Sequence, residues 1–139
     1  MKRDIAFRPV EGVAIAIVPD EQAATATPEQ PGWQVYLLND NDEPLDNVLV
    51  SSNGYGTGPA GEPIRTSTLR HSLPQVPPRS ASPIEAIDPA VFHLHNQYWV
   101  SYYLGGQVFD KKFIFAPESI GVDQLMMIPL IDQAGVLHS

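Results

Sequence analysis

Two of the chain's four histidines, His93 and His95, stand two residues apart. On a strand, that spacing sends both imidazoles to one face, which is one way paired metal ligands are presented. His71, Glu85 and Asp88 are the residues that could complete such a set. The spacing matches no metal-site signature, and Pro89 implies an irregular start to the segment. Structural or surface histidines account for the same residues. The expectation is therefore no metal and no cofactor, with His93, His95 and His71 as the candidates should one bind.

Other stretches resemble chemistry without its context. "GTGPAG" (Gly56–Gly61) has the spacing of a dinucleotide-binding loop, but that mechanism needs a helix to follow. Here "EPIRTSTL" follows, which is extended, so a flexible connection is expected. "NDNDEPLD" (Asn39–Asp46) gathers Asp40, Asp42, Glu43 and Asp46 but lacks the glycine and distal glutamate of a calcium loop. It reads as a solvated acidic turn. No serine sits in a G-x-S-x-G elbow. No thiol chemistry is possible, because the chain has no cysteine. The expectation is a protein that is not an enzyme.

The residues most suggestive of binding lie around Gly105-Gly106. Two glycines suit a two-residue hairpin turn, since both accept positive φ. That turn pairs Leu104 with Gln107, Tyr102 with Phe109, Val100 with Lys111 and Tyr98 with Phe113. One face then carries Tyr98, Val100, Tyr102, Leu104, Phe109 and Phe113, a core face on which Lys111 must snorkel to a rim. The other carries Trp99, Ser101, Tyr103, Val108, Asp110, Lys112 and Ile114. Trp99 stands opposite Lys112, which suits a cation–π contact. Trp99, Tyr103 and Lys112 are the candidate partner- or ligand-binding residues on an otherwise half-covered outer face.

The elements that would carry these residues are strands. The 139 residues suit one domain, 1–139. Fourteen prolines disfavour long helices. Strands are expected at Val13–Val18, Trp33–Asn39, Leu45–Ser52 (hairpinned to the one before), Ile64–Leu73 as an edge, a short one at Ile84–Asp88, Gln97–Leu104, Gln107–Phe115 and a long one at Gln124–Ile131. A single helical turn is expected before Gln97. The segments Pro19–Gly32, Asn53–Pro63 and Pro74–Pro83 read as loops. The fold class is all-β: a single antiparallel β-sandwich of Greek-key or immunoglobulin-like type, with about eight strands and long Pro/Gly-rich loops.

A net charge of −8 and scattered basic residues, adjacent only at Lys2-Arg3 and Lys111-Lys112, argue against nucleic acid and anionic membrane as partners. No apolar run reaches the roughly 18 residues of a membrane helix, and "MKRDIAFRPVEG" has no apolar stretch behind its charges. A cytoplasmic location is expected.

"VYLLNDNDEPLDNVLVSSNGYG" (Val35–Gly56) and "FDKKFIFAPESI" (Phe109–Ile120) carry one resemblance. They resemble a β-sandwich domain of unknown function from Bacteroidetes proteins that also hold a C-terminal Smr domain. Leu37-Leu38-Asn39-Asp40 matches its apolar run ending Asn-Asp, with Asn41 in place of the family's serine. The resemblance implies a bacterial sandwich that mediates contacts. The nuclease-associated His-Gly-x-Gly signature of the Smr part is absent, since no histidine precedes a glycine, so no nuclease activity is implied. The expected function is a non-catalytic protein-interaction or self-association module, its partner another protein or itself as a homodimer. The alternative is a small-ligand module for carbohydrate or metal. An enzyme lacking a sequence signature would instead show a deep pocket with converging His and carboxylate groups.

Overall fold

A computed structural model describes residues 11–23 and 26–139. The N-terminal stretch with Lys2 and Arg3, and Ala24 and Thr25 within the Pro19–Gly32 segment, lie outside them. Ten strands form: β1 (Val13–Asp20), β2 (Gly32–Asn39), β3 (Leu45–Thr57), β4 (Pro63–Arg65), β5 (Leu69–Val76), β6 (Ser80–Ile87), β7 (His95–Leu104), β8 (Gln107–Phe115), β9 (Met126–Ile128) and β10 (Gln133–His138). The first sheet has the order β6-β2-β1-β10-β9. The second has the order β4-β3-β7-β8, with β5 also paired to β3. All pairings are antiparallel. The two sheets pack as an all-β sandwich, with ten strands where the sequence pattern suggests about eight.

The core follows from alternation. Ile15, Ile17, Val35 and Leu37 of the first sheet meet Val50, Tyr98, Val100, Tyr102 and Phe113 of the second in one buried cluster. Burying each such side chain contributes roughly 1.5–3 kcal/mol. The β7–β8 hairpin keeps the register that Gly105-Gly106 dictates, with Tyr98 on Phe113 and Trp99 on Lys112. Both glycines have positive φ, 58° and 78°. Lys111 lies with its Nζ 5.0 Å from the Phe113 ring centroid, its stem along the core rim.

Several local expectations are corrected. β2 and β3 are not a hairpin. A strand has two edges, and those of β2 are taken by β1 and β6. The turn after β2 therefore carries the chain across to the second sheet. Asn39, fully buried, fixes that crossing: its Nδ2 donates toward Glu43, Val76 and Pro77 carbonyls, and its Oδ1 accepts from the backbone and side chain of Asn41. The acidic turn itself holds Arg79, whose guanidinium reaches Asp40 at 2.7 Å and Asp42 at 2.8 Å. The glycine-rich stretch from Asn53 is strand as far as Thr57, and Gly58–Glu62 closes the β3–β4 hairpin with no helix after it. Ile64–Leu73 is split between β4 and β5. β6 is longer than the short Ile84–Asp88 strand expected, taking in Ser80–Pro83 from the supposed loop.

The largest correction concerns Gln124–Ile131. Only Met126–Ile128 is strand; Pro129, with no N–H, ends the pairing. The segment is apolar because it folds over the outside of the first sheet. Ile128 is buried against Ala16, Val18 and Leu38, with Leu130, Ile131 and Leu137 beside it. This second, smaller core buries β1 on both faces, including Ala16 and Val18. Gly135 allows the close approach. A Cβ there would stand 2.5 Å from Val18 Cγ1 and 2.8 Å from Ile128 Cδ1.

Candidate functional site

The outer face of the second sheet has no such cover. Strand alternation brings Leu49 of β3, Trp99 and Tyr103 of β7, and Val108 and Ile114 of β8 to one side. Each is exposed: Leu49 by 56%, Trp99 and Tyr103 by 44%, Val108 by 55% and Ile114 by 38%. They are contiguous by register. Val108 lies opposite Tyr103, Leu49 lies opposite Ser101 and so between Tyr103 and Trp99, and Ile114 lies diagonal to Trp99. Lys112 caps the Trp99 ring, its Nζ 4.7 Å from the ring centroid. Trp99, Tyr103 and Lys112 therefore share one surface. Around them Arg65, Arg70 and Lys112 are set against Asp46 and Asp110, so this face is nearly neutral in a chain of net charge −8.

The three histidines do not meet. His93 lies in the turn after the 3₁₀ turn Pro89–Val91, ahead of the strand that begins at His95, so the two rings do not share a strand face. His95 stacks on Tyr55 across β3 and β7, with centroids 4.9 Å apart and planes 4° from parallel. His71 points inward from β5. Among the described residues no three His, Asp or Glu side chains gather in a way that could hold a metal ion.

His71 leads to a second constellation. Its Nε2 lies 2.6 Å from Glu85 Oε1. Glu85 is only 11% exposed in its side chain and also accepts from Ser52 Oγ at 3.0 and 3.1 Å and from the Tyr98 hydroxyl at 3.1 Å. β6 presents Glu85 to the core because it pairs with Val35, while β3 and β7 present Ser52 and Tyr98 side by side. Three side chains thus converge on one carboxylate. The Ser52 and Tyr98 hydroxyls donate to it, and a carboxylate oxygen accepts, so in the His71 contact the imidazole N–H donates. Burial, and then the Glu85 charge and the bond to it, hold the Tyr98 phenol well above the ordinary range, so it stays neutral. The carboxylate, not the imidazole, sits at the centre. Neither Ser52 nor Tyr98 hydrogen-bonds to His71, so the cluster lacks the nucleophile–imidazole–carboxylate order of acyl transfer.

Glu85, Ser52 and Tyr98 line a cavity of about 350 Å³ that opens between the sheets, with Asn53, Gly54, Thr66, Ser67, Leu69, Ile87, Asp88, Val91 and Asn96 around it. The sequence names His71, Glu85 and Asp88 as possible neighbours but gives no reason to join them to Ser52 and Tyr98. The available signal was a carboxylate two residues before the buried Ile87, on what alternation makes a core face. A second cavity, about 310 Å³ beside Trp33, Phe92 and Ile120, has no titratable side chain in its wall. No family model matches the chain, and no curated protein matches it.

Proposed function

We propose that the protein is a non-catalytic, cytoplasmic self-association module that docks through the outer face of its second sheet. One contrast supports this reading: the first sheet has its outer face covered by the chain's own Ile128–Ile131 segment, whereas the second leaves five large apolar residues bare. Contiguous apolar exposure on a sheet face marks an interaction surface. Trp99 and Tyr103 are the residue types that dominate binding energy at such surfaces. The near-neutral charge there lets two acidic chains approach, and Asp110 and Lys112, two apart on β8, offer a two-fold partner both signs at once. The resemblance of Val35–Gly56 and Phe109–Ile120 to a bacterial sandwich domain, which implies a contact-mediating role, points the same way.

The test is light scattering over concentration. A dimer that dissociates on dilution is expected, and Trp99→Ala with Tyr103→Ala should weaken it at least tenfold while leaving the fold intact. A chain that remains monomeric at about millimolar concentration overturns self-association. No helix among the described residues is long and apolar enough to cross a membrane.

A further inference from the structure

The cavity beside Glu85 lies on the inner side of the second sheet, away from the docking face. Its wall is rich in acceptors. Glu85 and Asp88 bring carboxylates, and no lysine or arginine lines it. Asn96, only 5% exposed, spends both amide hydrogens on the Val91 carbonyl at 3.0 Å and the Leu94 carbonyl at 3.2 Å. Its Oδ1 is thereby left as an acceptor, on the Gly54 side of the cavity, and no described residue donates to it. An amide oxygen that opens to a cavity without a protein donor is a place where a ligand's N–H fits. Gly54 keeps this space open: a Cβ there would lie 3.2 Å from Leu94 and Thr66 methyl groups and 3.5 Å from Asn96 Oδ1. Leu69, Ile87 and Val91 supply apolar wall.

The matching ligand has a compact, donor-only, positive head and a short apolar stem. A guanidinium fits less well. Its planar fork asks for both oxygens of a carboxylate, and Ser52 already bridges the two oxygens of Glu85. An ammonium carries three rotatable donors and can address Glu85 and Asn96 separately. His71, donating from behind, fixes the carboxylate without contributing to the cavity wall. We propose that this cavity binds a primary alkylammonium group, supplied either by a free amine or by a lysyl side chain. Glu85 receives the charge, Asn96 Oδ1 a second N–H, and Leu69 and Val91 the stem.

The experiment titrates the whole chain with butylammonium, with the peptide acetyl-Gly-Lys-Gly-amide and with 1-pentanol as the neutral counterpart. Binding is read by calorimetry and by the amide signals of Gly54 and Asn96. Saturable binding of at least one cation, at least tenfold tighter than pentanol and centred on those signals, is expected. Butylammonium alone identifies a free amine, and equal or tighter peptide binding identifies a lysyl residue. Glu85→Gln should weaken binding at least tenfold. Leu69→Trp, at a position already 51% exposed, should narrow the mouth and do the same without disturbing the core, and it decides the matter if the Gln variant fails to fold. No saturation by either cation, pentanol binding as tightly, or both folded variants binding like the parent would overturn the proposal.

Discussion

Replacing Tyr98 by phenylalanine isolates one hydrogen bond. The ring stays in place, 1% exposed, opposite Phe113 and edge-on to Phe115 at 6.2 Å. Only the 3.1 Å bond from the phenol to Glu85 is lost. Bonds to charged groups contribute about 1.5–3 kcal/mol, and Glu85 keeps Ser52 and His71, so the lower end applies: about 1.5 kcal/mol of stability lost at pH 8. The pH dependence carries the sharper test. The folded phenol is held well above its ordinary value of about 10, first by burial and then by Glu85. In the unfolded chain it ionises at that ordinary value. Above pH 10 the unfolded state therefore binds fewer protons than the folded one, and stability falls as pH rises. This contribution is whole below about pH 10 and declines by about 1.4 kcal/mol for each unit above it. By pH 11 the parent loses about 1.4 kcal/mol that the phenylalanine variant cannot lose. Every other titration is common to both chains, so their difference reports Tyr98 alone. Urea unfolding at pH 8, 9, 10 and 11 should show two stabilities about 1.5 kcal/mol apart that converge near pH 11. A gap that stays constant or widens with pH would refute the assignment.

Other substitutions probe other parts of the argument. Ile128→Ala empties the small core on the outside of the first sheet and should cost about 2–4 kcal/mol in denaturant unfolding. A loss under about 1 kcal/mol would mean that the segment is not held there. Gly135→Val drives a side chain into Val18, Ile128 and the Ile17 carbonyl, and should lower the melting temperature and speed amide exchange in β9 and β10 before the rest of the sandwich. Asn39→Ala removes the side chain that joins β2 to the end of β5, and should destabilise by about 2–4 kcal/mol; a neutral outcome would assign the sheet crossing to packing alone. Trp99→Ala, by contrast, should change monomer stability by no more than about 0.5 kcal/mol, as an exposed position does, while weakening association.

Local chemistry determined a large share of this molecule. Gly105-Gly106 accepts only a narrow set of turns, and the period of two then assigns every residue of β7 and β8 to a face, so Trp99, Tyr103 and Lys112 could be placed together without a structure. Alternation in Val13–Val18 likewise puts Val13, Ile15 and Ile17 on one face, and the structure makes that face core. What pairs with what over long distances was not legible. Leu45–Ser52 follows a turn that looks like a hairpin, and only the occupancy of both edges of β2 sends it to the other sheet. Gln124–Ile131 has the composition of a buried strand. It is apolar because it lies across Ala16, Val18 and Leu38, a surface that exists only once the first sheet has formed. Glu85 shows the limit most plainly. A lone glutamate in a strand pattern carries no sign of its partners. His71 stands 14 positions before it, Tyr98 stands 13 after it and Ser52 stands 33 before it, and only the packing of two sheets turns these three into its donors. The sequence by itself sets periodicity and turn chemistry, because both are carried by neighbouring residues. Which face is covered and which polar groups converge is decided between strands far apart in the chain, by edge pairing and burial.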